Sequence, residues 1–254
     1  VAELVGEEAS RQITVGTFHS LGLRMLEEDG KAFGVPRGFT LMDAADQASA
    51  VRQCLRVLGL DPQRHDPRLF LQVISNLRNQ GQSPADASGG GEGQMTARVY
   101  RAYLEWKEAY RSLDFDDLIL RPVEGLQKDA ALREKWMTRF RTVLVDEYQD
   151  TNAMQLALVQ LLSQEHQSVC VVGDDDQSIY GWRGAQIENI LGFESSFPGA
   201  RTIKLTQNYR STGHILACSN QVIQNNTARK AKELWTDQGD GEKPRVVLCK
   251  DGGA

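Results

Sequence analysis

Residues 142–150 read Thr-Val-Leu-Val-Asp-Glu-Tyr-Gln-Asp, TVLVDEYQD, and the parsing of the rest of the chain follows from them. Thr142 to Val145 form a short apolar run, the pattern of a fully buried parallel strand. Asp146 and Glu147 stand at its end. In open α/β sheets ligands sit beyond the carboxyl ends of the strands. Two adjacent carboxylates there suit a magnesium nucleotide: one holds the metal, often through water, and the next takes a proton from an attacking water. Taken alone, an apolar run followed by acids is equally a strand ending at the surface, so the pair needs partners.

The partners come about 25 residues later. Ser168-Val169-Cys170-Val171-Val172 is a second strand-like run, and it leads directly into GDDDQSIYGWRGA at 173–185. Gly173 is expected to let the backbone turn sharply. Gln177 is a neutral side chain that both donates and accepts hydrogen bonds, so it can register whether a terminal phosphate is present. Tyr180 and Trp182 alternate with small residues, and Arg183 follows. Two π-faces and a cation in a polar, glycine-flanked loop are what a single-stranded nucleic acid needs; a core strand does not look like this.

Working outward, four regions separate. Residues 1–24 carry Ile13-Thr14-Val15, a short strand running into TFHSLGLR. Residues 25–125 are helical. Asp43 caps a helix whose face is Ala44, Ala48, Val51, Leu55 and Leu58, stopped by Gly59. Asp66-Pro67 starts another with Leu69, Phe70, Val73, Ile74 and Leu77, proline being favoured at the first helical position. Val99, Tyr103, Trp106 and Tyr110 mark a third, and GQSPADASGGGEG at 81–93 is a flexible surface loop. Residues 126–205 alternate strand-like runs (142–145, 168–172, 202–205) with helices near 129–140 and 152–163, which argues for a parallel sheet flanked by helices. Residues 206–254 hold a helix near 212–225 and a strand at 245–249.

Composition is that of an ordinary globular protein. With 41% hydrophobic residues in a 254-residue chain, a sizeable core can be buried. No run of 18 apolar residues exists, so no membrane span is expected. The first ten residues, VAELVGEEAS, lack the basic start and apolar stretch of a signal peptide. Four scattered cysteines show no zinc spacing and fit a reducing compartment, with Cys170 expected in the core. The net charge of −5 argues against nucleic-acid binding by bulk basicity, but not against a local groove.

Five segments in order resemble superfamily 1 DNA helicases of the Rep, UvrD and PcrA group: TFHSLG at 17–22, LDFDDLIL at 113–120, LVDEYQDTN at 144–152 (with Val143 before it), GDDDQSIYGWRGA at 173–185 and LTQNYRS at 205–211. TVGTFHSLGL and LDFDDLIL look most like the Rep branch. The resemblance implies an α/β RecA-like P-loop NTPase core, in part, with an inserted helical accessory domain. Residues 1–24 and 126–205 correspond to the first core domain, 25–125 to the insertion and 206–254 to the start of a second core domain. It implies that Asp146 coordinates Mg²⁺, that Glu147 is the general base for ATP hydrolysis, and that Gln177 contacts the γ-phosphate. Arg210 reaches the same phosphate across a cleft, and Tyr209 stacks on adenine. Phe18, Tyr180 and Trp182 stack on DNA bases, with Thr17, His19 and Arg183 near the strand. The implied activity is ATP-dependent 3′ to 5′ translocation on single-stranded DNA and duplex unwinding, in replication or repair. The implied partners are single strands and single-strand/duplex junctions, with no membrane. The implied setting is the bacterial cytosol, as a monomer or weak dimer.

The chain departs from the family at one point. No Gly-x-x-x-x-Gly-Lys-Ser/Thr segment, whose amides and lysine cradle phosphates, occurs in it. The sequence therefore reads as a middle piece of a longer protein, unable to turn over ATP alone. Two other readings share its motifs: a recombination-type helicase–nuclease subunit, and a non-catalytic DNA- or protein-binding module.

Overall fold

The computed structural model describes residues 2–87, 90–165 and 168–247. Helices dominate, with short parallel strands in two pairs. Two short helices, α1 (Ala2–Val5) and α2 (Glu7–Arg11), open the chain and bury no residue. The Thr17 hydroxyl then accepts from the Ser20 amide at 3.2 Å and starts α3 (Phe18–Asp29), satisfying one of the orphan N–H groups of a helix end. The helical stretch that follows holds β1 (Thr40–Leu41), α4 (Ala44–Val57), α5 (Pro67–Asn79), α6 (Gly90–Ala109) and β2 (Ser112–Leu113). Beyond it lie α7 (Asp117–Lys128), α8 (Ala130–Met137), β3 (Val143–Val145), α9 (Ala153–Ser163) and β4 (Val169–Val171). Short helices α10 (Glu188–Leu191) and α11 (Phe193–Ser196) precede α12 (Gly213–Ile223).

Local signals place most of these helices. Asp43 accepts from the Ala45 and Asp46 amides at 2.7 and 2.8 Å, and Asp46 returns a bond from the Asp43 amide, a reciprocal capping box. Ala48, Val51 and Leu55 are buried, and Gly59 ends the run with φ +72°. On α5 the expected face is off by one row. Phe70 and Ile74 are buried, whereas Leu69 and Val73 are exposed, because the i, i+4 line of Phe70, Ile74 and Arg78 is the one turned inward. The expected loop 81–93 is also shorter than read, since Gly90 to Gly93 already belong to α6 and residues 88–89 lie outside the described ones. Burial of Val99, Tyr100 and Tyr103 further along supports a helix whose first turn has poor propensity. Tyr110 falls just past α6 and stacks on Trp106 at 4.3 Å.

Two apolar clusters result. One joins α3, α7, α8 and α9 through Met25, Leu26, Leu118, Leu126, Trp136 and Leu158. The other joins α4, α5 and α6 through Val51, Leu55, Phe70, Ile74, Val99 and Tyr103. In the first, α3 and α7 cross at Gly22, where an added Cβ would lie 1.7 Å from the Leu118 carbonyl oxygen. Pro122 sits inside α7 and has no N–H to give that carbonyl, so the close approach and the break in the ladder coincide.

Strands β3 and β4 pair in parallel, Val143 with Val169 and Val145 with Val171, as the alternation predicts. They are not fully buried. Val145 points into the core, while Leu144 is 75% exposed and Cys170 also faces out, against the core position expected for that thiol. Side chains alternate along a strand, and α9 covers one face only among the described residues. The runs at 13–15 and 202–205 form no strand, nor do residues 245–247; 248–249 fall outside the described residues. Apolar, β-prone residues supply propensity, but a strand needs a ladder partner for its amides and carbonyls, and among the described residues these runs form no ladder.

Candidate functional site

The carboxylate pair stands where the parallel ladder ends. The Asp146 carboxylate accepts from the Glu147 amide at 2.9 Å, and both side chains are exposed. Glu147 takes the left-handed conformation, φ +50° and ψ +43°, which is uncommon for a residue with a Cβ. The turn that follows, Tyr148–Asp150, is 3-10 and packs Tyr148 edge-on against Phe193 at 5.5 Å. Among the described residues neither Asp146 nor Glu147 enters an ion pair, so two exposed carboxylates of like charge stand side by side with no cation of the protein's own against them.

The loop after β4 runs beside this turn. Tyr148 donates its amide to the Val172 carbonyl at 3.0 Å, and the Val172 amide bonds the Val145 carbonyl at 2.8 Å. Gly173 is required for space rather than for a turn: a Cβ there would meet the Gln149 side-chain oxygen at 2.6 Å and the Tyr148 amide nitrogen at 3.1 Å. Gln177 ends the 3-10 turn Asp175–Gln177 and donates from its amide to Asp174 at 2.8 Å. Tyr180 and Trp182 are exposed, Trp182 at 63%, and the Arg183 guanidinium lies 5.3 and 4.4 Å from their ring centres. An arginine over two solvent-facing rings makes a cationic, flat-faced surface.

Thr17, Phe18 and His19 share a cleft of about 430 Å³ with Val145 and Asp146. Phe18 is half-buried and packs against Val145's cluster. His19 stacks on Phe115 at 3.9 Å, and burial lowers its pKa by disfavouring the charged ring. Tyr209 is 75% exposed and donates its hydroxyl to Gln207 at 2.9 Å. The Asn208 side chain caps the turn by accepting from the Arg210 and Ser211 amides. Asp146, Glu147 and Gln177 thus lie on adjoining turns. Among the described residues no ion pair or hydrogen bond links Arg210 or Tyr209 to them.

Sequence reasoning missed the residue that ties these turns together. Gln149 is buried, donates from its amide to the Glu147 carboxylate at 2.7 Å and accepts from the Asp174 amide at 3.0 Å. It also missed Phe115, the partner of His19, and the charged centre beneath LDFDDLIL. There Arg78 and Lys107, both buried, meet Asp114 and Asp117: Arg78 bonds Asp114 at 2.6 and 2.8 Å and also Asp117, and Lys107 bonds both acids at 2.7 Å. Burial works against the Asp114 charge, yet the two cations outweigh it and hold the carboxyl far below its usual range. A lysine and an arginine at 29-residue separation give no periodic signal; Asp114 also serves the start of α7, its carboxylate accepting from the Asp117 amide at 3.0 Å.

Residues 1–198 match the UvrD/REP helicase N-terminal domain, and 203–252 match the UvrD-like helicase C-terminal domain. The chain is 45% identical over 246 residues to the ATP-dependent DNA helicase PcrA of Staphylococcus epidermidis, covering 96% of this chain and 34% of that protein. The same figures hold for the PcrA helicase of Staphylococcus aureus. The chain therefore spans about a third of the length of the curated relatives it matches. These relatives carry the PcrA name, where the motif details resemble the Rep branch.

Proposed function

The chain belongs to the UvrD/REP helicase family, and from that premise we propose that it is part of an ATP-dependent 3′ to 5′ single-stranded-DNA translocase that opens duplexes in replication or repair. The observation that carries this is the meeting of the Asp146–Glu147 pair, which enters no ion pair among the described residues, with the Gln177 turn beside a loop that exposes Tyr180 and Trp182. On this reading the architecture is a RecA-like core: 1–24 and 126–205 form its first domain, 25–125 the inserted accessory domain, and 206–254 the start of the second.

The exposed carboxylates at the strand end fit a magnesium nucleotide. Asp146 would hold the ion, and Glu147 would accept the proton of the attacking water. When bound, Mg²⁺ neutralises charge on the transferring phosphoryl group. Gln177 would contact the γ-phosphate, Arg210 would stabilise its developing charge and Tyr209 would stack on adenine. Phe18, Tyr180 and Trp182 would stack on bases, flanked by Thr17, His19 and Arg183. Coupling follows from proximity, since Gln177, Tyr180 and Trp182 belong to one short loop.

Within these 254 residues nothing matches the phosphate-cradling loop, so this polypeptide by itself is proposed not to turn over ATP. Single-strand-stimulated turnover that Glu147→Gln abolishes would overturn that. The DNA reading is tested by anisotropy with a fluorescent oligo(dT). One stacked base is worth about 1–3 kcal/mol, so Trp182→Ala should weaken binding by roughly 5- to 150-fold. Equal binding by the variant would exclude Trp182 as a stacking residue and favour a platform of another kind.

A further inference from the structure

The three acids Asp174, Asp175 and Asp176 are not an open acidic cluster. Lys232 places its ammonium among them, 2.7 Å from Asp174, 3.2 Å from Asp175 and 2.8 Å from Asp176. Arg229 grips Asp176 with two bonds, at 2.8 and 2.6 Å, and the Lys230 amide donates to Asp175 at 2.8 Å. Arg229, Lys232 and Asp176 are each largely buried. A cation of the protein's own thus sits at the focus of the one group of acids among the described residues whose oxygens lie close enough to share a metal ion, which removes it as a metal site.

The geometry assigns Lys232 and Arg229 as positioning residues for the Gln177 and Glu147 side chains. Asp174 is the junction. One of its oxygens takes the Lys232 ammonium and the other takes the Gln177 side-chain amide at 2.8 Å. Its backbone amide is held by Gln149, whose own amide holds Glu147. Charge-assisted bonds are the strong members of such a chain. The clamp comes from residues 229–232, more than fifty positions along the sequence, so the segment carrying Tyr209 and Arg210 is tied to the two turns that carry the carboxylate pair and Gln177. Trp235, a few residues on, bridges back to Gln207 and donates its amide to Thr206, which closes that tie onto the Tyr209–Arg210 turn.

Burial works against the Lys232 charge, yet the three carboxylates outweigh it and hold its pKa above the ordinary lysine value. The positional claim stands without nucleotide or DNA; its catalytic meaning rests on the reading of Glu147 and Gln177 proposed above. The test is the side-chain amide spectrum of the full 254-residue chain labelled with ¹⁵N-glutamine, with the Gln149 and Gln177 pairs assigned by substitution. Lys232→Met should shift both pairs and speed their exchange with water several-fold, while Lys232→Arg restores the original positions and other glutamine pairs stay fixed. Should Lys232→Met fail to fold, Arg229→Gln, which leaves the lysine in place, should move the same two pairs less far. Unmoved Gln149 and Gln177 pairs in a folded variant whose melting point has dropped would reduce the clamp to a structural ion pair and overturn the assignment. Loss of oligo(dT) binding bears on the functional reading alone, since no ligand enters this measurement.

Discussion

Glu147 holds a left-handed backbone, and the bond it accepts from Gln149 orients the carboxylate at the end of that turn. Gln149→Leu keeps the volume but leaves the Asp174 amide without its partner. A fully buried donor left unsatisfied costs about 1–3 kcal/mol, and this one is part-buried, so urea unfolding should show a loss toward the lower end of that range, about 1 kcal/mol, with an unchanged slope. Asp174 and Asp176 carry a pH dependence. Burial opposes the Asp174 charge but its bonds to Lys232 and Gln177 win; for Asp176 the Arg229 bond leads; both pKa values lie below the usual carboxylate range. Groups depressed in the folded state add stability that is complete above the unfolded value, about 3.9, and is lost as pH falls below it. Lys232→Met should therefore flatten the acid limb of a pH–stability curve; an unchanged limb would contradict the role given to these acids. Asp146, Glu147 and Gln177 were legible in the sequence because each ends a recognisable apolar run or sits in a motif. Gln149 and Lys232 were not, since what they do depends on a backbone amide or acids 25 to 58 positions away, and no spacing rule announces such a bond.

Elements were legible where local chemistry decides and illegible where a partner does. The Asp43 box, the Asp66-Pro67 start and the Gly59 stop are complete within a few residues, and α4 and α5 begin where these signals stand. The inward row of α5 was misjudged because Arg78, a charged residue, lies on it, drawn in by Asp114 and Asp117. Removing one member of such a buried network leaves uncompensated charge, so Arg78→Leu should destabilise by about 3–5 kcal/mol. Lys107→Met should cost less than Arg78→Leu, because burial already opposes the lysine charge and lowers its pKa. The α3–α7 crossing makes a separate prediction. Gly22→Ala drives a methyl into the Leu118 carbonyl, an overpacking cost of about 1–3 kcal/mol or more, read as a lowered melting temperature. A neutral Gly22→Ala would show that the two helices are not locked at that contact.

At the scale of the whole molecule, the Arg78–Lys107 centre ties α5 and α6 of one apolar cluster to the start of α7 in the other, and the parallel β3–β4 pair carries the candidate site at one end. Strand order was readable from the two apolar runs flanking α9; the extent of the sheet was not, because Ile13–Val15 and 202–205 have strand composition without a ladder partner. Membrane spanning by a helix has no support among the described residues, none of whose helices is long and apolar enough. The proposed function rests on the carboxylates beyond β3 holding a divalent cation. It is tested most directly by adding Mn²⁺, a paramagnetic stand-in for Mg²⁺, to the ¹⁵N-labelled chain and following the loss of amide signals. Signal loss should centre on residues 146–149, reach the neighbouring 173–177 turn and be abolished by Asp146→Asn. Loss centred instead on Asp174–Asp176, or loss that persists unchanged in Asp146→Asn, would contradict it.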